Sequence, residues 1–181
     1  LGGAAVGGAL WFIITQTEYM TQRIRIWQDP TSDLQGDGFQ PWQSRIAIGS
    51  GGLLGKGLGN SQQKYLFLPE EHNDYIFSVV CEELGIVGAC VIMALFALLI
   101  IRGYWLALHA RDRFGTLLVV GITSLLAFQT FFNIGVVTGF LPPTGISLPF
   151  FSYGGTALAI QLAEMGMVLS VSRQIAAPKA E

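Results

Sequence analysis

Long uncharged runs flank one polar segment in this chain. Leu84 to Ile101 is eighteen residues without a charge, and Phe114 to Ala163 carries none either but is interrupted by Pro142, Pro143 and Pro149. A membrane helix needs about 20 mainly apolar residues, and proline ends or kinks a helix. The pattern predicts a span over Leu84 to Ile101 that Tyr75 to Glu83 extends outward, a second from Gly115 to Phe140, a turn at the prolines, and a last span from Thr156 to Ser172. The opening run, Leu1 to Thr15, is rich in the Gly and Ala that let membrane helices approach closely. It reads as the second half of a further transmembrane helix in a longer, multispanning protein.

Between these runs, Thr21 to Asp74 holds no span. Two amphipathic pieces, Thr21 to Trp27 and Pro41 to Ile48, fit short helices lying at the membrane surface. They are followed by a stretch from Gly49 to Gly59 with six glycines in eleven positions, which predicts turns or close backbone approach. A flexible linker is one reading and a phosphate-cradling loop another; no Gly-Lys-Ser/Thr string supports a nucleotide P-loop.

Composition agrees with the pattern: of 181 residues, 51% are hydrophobic and 12% charged, and the mean hydropathy is +0.52. This is the composition of an integral membrane protein. A net charge of -2 leaves no basic patch for nucleic acid. Cys81 and Cys90 fall in or beside an apolar run and read as packing residues. Arg102, Arg111 and Arg113 flank one short connection and Arg173 and Lys179 follow the last span, so the positive-inside rule puts both in the cytoplasm and the Thr21 to Asp74 segment outside.

The outer carboxylates form three groups: Asp29, Asp33 and Asp37; Glu70, Glu71 and Asp74; and Glu82 with Glu83 at the head of a span. A solvated loop accounts for the first two. The third asks for a partner or a wet cavity, because ionisable groups entering a bilayer are costly. Glu164, in the last span, fits snorkelling or helix pairing.

Several strings, in order, carry a resemblance: Trp27 to Ser44; Gly49 to Ser61; Gln63-Lys64-Tyr65-Leu66-Phe67-Leu68-Pro69-Glu70 with His72, Asp74, Phe77 and Glu82-Glu83-Leu84-Gly85; Asn133-Ile134-Gly135; and Leu141-Pro142-Pro143-Thr144-Gly145 through Gly155. Over essentially its whole length the chain resembles the SEDS family (shape, elongation, division and sporulation), which comprises the FtsW, RodA and SpoVE proteins. The Gly-Leu-Gly-Asn-Ser form looks closer to FtsW and SpoVE.

The resemblance implies an all-α integral membrane fold: the C-terminal part of a ten-helix bundle with a large extracytoplasmic loop. The parts would be the end of helix seven (1–20), external loop four (21–75), helix eight (76–101), a cytoplasmic loop (102–114), helix nine (115–140), an external turn (141–155), helix ten (156–173) and a cytoplasmic tail (174–181). The implied setting is a multi-pass protein of the bacterial plasma membrane with its site on the outer face. The implied activity is polymerisation of lipid II into peptidoglycan strands, in division, cell shape or sporulation. A lipid II flippase, or a non-catalytic scaffold, is the alternative.

In the family's motif the catalytic aspartate precedes a Gly-x-Gly-Tyr/Phe-Gln string, which here is Gly36 to Gln40. Spacing to the glycines selects Asp33 as general base; Asp29, in an Asp-Pro pair, is the runner-up. Arg45 and Lys56, with Gln43 and Ser44, are the candidates for substrate and pyrophosphate. Glu70, Asp74 and Glu83 are assigned supporting roles. No ligand spacing marks a metal, although a divalent cation, Mg²⁺ or Mn²⁺, could serve the leaving group. Besides lipid II and membrane lipid, the implied partner is a class B penicillin-binding protein. Its single helix would pack on helices eight and nine near Phe96, Leu99, Gly121 and Ala127.

Overall fold

The computed structural model describes residues 18–61, 74–151 and 154–176. All regular structure among them is helical: α1 (Glu18–Gln28), a 3₁₀ turn (Pro30–Asp33), α2 (Phe39–Gly51), α3 (Ile76–Leu108), α4 (Arg113–Val137) and α5 (Gly155–Ala176). Of these, α3, α4 and α5 are long and apolar enough to cross a membrane. The predicted end of a helix over residues 1–17 lies outside the described residues.

The three long helices pack around two apolar clusters, one at each end. Leu106, Ala107, Val119, Val168 and Val171 close the end bearing the arginines. Tyr75, Phe77, Cys81, Ala89, Phe96, Val137 and Leu148 form the core beneath α1 and α2. Phe96 is therefore buried, not part of a lipid-facing seam. Between the clusters α3 and α4 approach closely at Gly103, where a Cβ would sit 2.4 Å from Thr123 Oγ1, and Tyr104 and Ser124 share a hydrogen bond of 2.9 Å.

Charge makes Arg102 look like the end of the first complete span, yet α3 continues to Leu108. The guanidinium lies 4.2 Å over the Trp105 ring and Trp105 stacks on His109, so the cation is covered by an aromatic face without breaking the helix. Asp112 then caps α4 by accepting from Gly115 N at 3.1 Å, which confines the connection to four residues, 109–112.

At the opposite end α1 and α2 clamp the segment that follows α4. Arg23 Nη1 donates to Pro143 O at 2.6 Å and Trp27 Nε1 to Gly139 O at 2.8 Å. Asn133 Nδ2 donates to both Asp74 O and Ile146 O, at 2.7 and 2.8 Å, and Phe150 N donates to Gln161 Oε1 at 2.8 Å. Irregular backbone at membrane depth must be buried or line water, and these bonds with buried Leu148 and Pro149 hold the proline-rich turn to the bundle. Asn133 is thus a tie near the end of α4.

Helix α3 is broken near its head. Gly85 has φ +69° and ψ -171°, which removes the helical pairing of the Glu82 and Glu83 carbonyls with Ile86 and Val87. The Gly-rich segment restores all four groups. Lys56 N and Gly57 N donate to Glu82 O and Glu83 O, both at 3.0 Å, while Ile86 N and Val87 N donate to Gly52 O and Leu53 O at 3.0 and 3.2 Å. The approach needs Gly85 itself: a Cβ there would lie 2.3 Å from Gly55 N. The stretch read as a linker or a phosphate loop is a strap that completes a helix, as the obligatory pairing of backbone groups in a dry setting requires.

Candidate functional site

The Asp29 to Gln40 segment folds into two consecutive tight turns. Asp29, extended at φ -138°, caps the 3₁₀ turn: its Oδ1 accepts from Thr31 N at 3.0 Å and from Thr31 Oγ1 at 2.5 Å. Its remaining role is local, because Ser32 Oγ donates to Asp29 O at 2.7 Å. Asp33 ends that turn, and its backbone carbonyl receives Gly36 N and Gly38 N at 3.3 and 3.2 Å. The carboxylate folds over Gly36, where a Cβ would meet Asp33 Oδ2 at 2.5 Å. Gly36 is thus what leaves room for the Asp33 side chain, and among the described residues no hydrogen bond ties that carboxylate down.

Two open clefts flank this turn and share Ile26 as a wall. One, of about 610 Å³, is lined by Asp33 and Ser32 with Glu18, Thr21, Gln22 and Arg25 from α1. The other, of about 690 Å³, collects Gly36, Asp37, Phe39 and Gln40 with Arg23, Asp74, Tyr75 and Pro143. Tyr75 is almost fully buried. Burial, reinforced by Asp74 and opposed by Arg23, pushes its hydroxyl from the usual 10 up to about 12, so it stays a neutral donor.

The structure divides the predicted site residues. Asp33 and Asp74 line clefts; Asp29 caps a turn. Arg45 and Lys56 line neither cleft. Arg45 Nη2 donates to Trp27 O at 3.1 Å, and Lys56 Nζ lies 2.7 Å from the fully buried Glu82 Oε1. Ser44 is also fully buried, its hydroxyl donating to Val137 O at 3.1 Å, because Pro41, Ser44, Ala47 and Gly51 form the packed face of α2. Each of these side chains has an internal partner in the structure. Gln43 is half-buried and lines neither cleft; Glu83 is half-buried and contributes its carbonyl to the strap. Glu70 and His72 lie outside the described residues.

Sequence reasoning passed over Arg25, Arg23 and Tyr75. Arg25 is the cation that shares a cleft with Asp33, and it is exposed. A signal was present: Arg25 stands four residues before Asp29, one helical turn away, and Asp29 N donates to Arg25 O at 2.9 Å.

The model of the cell cycle protein family of FtsW, RodA and SpoVE matches residues 1–177, and so takes in both clefts, the strap and all three long helices. The chain belongs to that family. This SEDS chain is 48% identical over 166 residues to a probable peptidoglycan glycosyltransferase FtsW of Geobacter metallireducens, covering 92% of the chain and 44% of the relative. It is 47% identical over 161 residues to stage V sporulation protein E of Bacillus subtilis, covering 89% and 44%. The peptidoglycan glycosyltransferase MrdB of Escherichia coli is 47% identical over 163 residues, covering 90% and 44%.

Among solved structures the SEDS chain matches one chain of a peptidoglycan synthase complex at TM-score 0.73 and 33% identity, over 94% of its own length and 46% of the other. It matches the rod shape determining protein RodA of Thermus thermophilus at TM-score 0.56 and 38% identity, over 74% and 40%. The chain thus spans less than half the length of these relatives.

Proposed function

We propose that this SEDS protein polymerises lipid II into peptidoglycan glycan strands by inverting glycosyl transfer, with Asp33 as general base. The observation that carries the reading is the Asp33 carboxylate, given room by Gly36 and lining a cleft that Arg25 also lines. The acceptor sugar hydroxyl gives its proton to Asp33 as its oxygen bonds to the donor's anomeric carbon. The bond from that carbon to phosphate breaks, and the lipid pyrophosphate leaves with the electron pair. Arg25, in the same cleft, is placed to offset the developing charge. The aromatic and amide lining of the neighbouring cleft, Phe39, Tyr75 and Gln40, suits a sugar chain.

Among the described residues no group of three His, Cys, Asp or Glu side chains converges as a metal site. The proton transfer above is written without a metal ion. Arg102, Arg111, Arg113 and Arg173 lie at the end of the bundle away from the clefts. That supports a site on the outer membrane face, where the sugars and pyrophosphate of lipid II meet the loop while its tail stays in lipid. The exposed faces of α3 and α4, including Leu95, Leu98 and Phe128, suit the membrane helix of a class B penicillin-binding protein. The relative in a synthase complex supports such a pairing.

The test uses the full-length protein, purified with its transpeptidase and supplied with labelled lipid II in vesicles. Asp33→Asn is expected to lower polymerisation about 100-fold to 10,000-fold, Asp29→Asn to reduce it by a few-fold, and Arg25→Ala to lower the rate by about 100-fold, as loss of one charge-stabilising donor does. Full polymerisation by Asp33→Asn refutes the base assignment, and lipid II translocation without polymer supports a flippase instead.

A further inference from the structure

Glu82 is the best-satisfied carboxylate among the described residues. It is fully buried at the head of α3, three residues before the break at Gly85. Oε1 takes Lys56 Nζ at 2.7 Å and Ser50 Oγ at 3.2 Å; Oε2 takes Ser61 Oγ at 2.5 Å. All three donors belong to the end of α2 or to the strap. The side chain therefore grips from inside the segment whose backbone completes α3 from outside. A buried carboxylate is tolerated only when paired and hydrogen-bonded, so the strap and the charge require each other.

The strap continues directly from α2, and the first turn of α2 is built on the Asp33 segment: Phe39 N donates to Gly36 O at 3.1 Å and Trp42 N to Gly38 O at 3.1 Å. A thirteen-residue helix is about 20 Å long. One end of that rod carries the Asp33 turn, Ser44 and Arg45 pin its middle, and Glu82 holds its far end. We propose that Glu82 is a positioning residue for the glycosyl transfer, acting through Lys56, the strap and α2 on the Asp33 turn. The inference rests on the reading of Asp33 given above. Displacement of a reacting group by about 1 Å can cost on the order of 100-fold in rate, so loosening the far anchor lowers turnover without removing any group that touches substrate.

The experiment compares Glu82→Gln, Lys56→Met, their double variant and Asp33→Asn in the full-length protein with its transpeptidase. It measures lipid II polymerisation kinetics and backbone hydrogen exchange over residues 29–40. Glu82→Gln is expected to lower kcat about tenfold with KM changed less than twofold, and to accelerate exchange over 29–40. The double variant should be no worse than the weaker single one, as residues acting through one contact are non-additive. If Glu82→Gln does not fold, Ser61→Ala, which removes one donor, carries the test and should shift both readouts in the same direction by about threefold. Unchanged kcat or unchanged exchange in the variant that folds overturns the proposal. An inactive Asp33→Asn beside a fully active Glu82→Gln overturns positioning alone. An active Asp33→Asn beside accelerated exchange in Glu82→Gln overturns the base assignment and leaves the mechanical link in place.

Discussion

Two regions at the same end of this molecule set glycines against a carboxylate, and they do opposite things with it. In the Asp33 turn, Gly36 opens space so that the side chain remains at a cleft rim without a hydrogen bond among the described residues. In the strap, glycines let backbone pack against backbone, and the carboxylate beneath, Glu82, has both oxygens occupied. The Asp29 to Gln40 turn has two glycines among twelve residues and the strap six among eleven, so a wealth of glycine does not by itself identify a reactive site. What separates them is whether the lone pairs of the acid are already committed.

The largest effect that could break this comparison is on catalysis. Asp33→Asn should cost about 100-fold to 10,000-fold in polymerisation rate, with the melting temperature unchanged. An equal loss of stability would make Asp33 structural like Glu82. The converse holds on the other side: Lys56→Met removes the ammonium that pairs with the buried Glu82 carboxylate and should destabilise the protein by about 3 kcal/mol, read by thermal unfolding in detergent. Loss of turnover without loss of stability there would place Lys56 at the substrate.

A smaller effect sharpens the wall of the larger cleft. The Tyr75 hydroxyl titrates near 10 in an unfolded chain and about 12 in the fold. The stability tied to the neutral group is intact below pH 10 and is lost as pH rises to about 12, where the unfolded state has released a proton that the folded state keeps. The loss is about 3 kcal/mol in total. Tyr75→Phe should flatten that alkaline limb in pH-dependent unfolding; an unchanged limb would assign it to another group.

Gly36→Ala should push the Asp33 carboxylate aside and slow polymerisation about tenfold, equivalent to about 1.4 kcal/mol, with folding retained. An unimpaired Gly36→Ala would mean that the approach seen at Oδ2 has no catalytic consequence. Smallest is Asp29→Ala, which removes a cap worth about 1 kcal/mol and should appear chiefly as lowered stability. A turnover loss as large as that of Asp33→Asn would move the base to Asp29.

The membrane helices were readable because an uncharged run of eighteen residues has few alternatives in water or lipid. Their ends were less so: Arg102 looks like a terminus until Trp105 is seen to cover it. The tight turn that sets Asp33 against Gly36 and Gly38 was legible from spacing, since tight turns are local. The internal partners of Arg45, Lys56 and Ser44 were not legible, because Trp27, Glu82 and Val137 come from other segments. No local pattern announces a lysine's counter-ion 26 residues away. The strap is the extreme case: Gly52 meets Ile86, and only the fold brings them together. The small-residue face of Pro41, Ser44, Ala47 and Gly51 was in plain view and would have marked Ser44 as a packing position.

The break at Gly85 also has a consequence for assembly. Helix α3 beyond the break can enter the bilayer with its own hydrogen bonds complete. Its head cannot, because the partners of four backbone groups arrive on the strap, which is not part of the span. Insertion and strap closure are therefore separate events joined at one seam, with the membrane supplying the first and Lys56, Gly57, Gly52 and Leu53 the second. Slow hydrogen exchange at Ile86 and Val87 would then time the moment at which the strap closes on the span, making the head of α3 a built-in reporter of complete maturation.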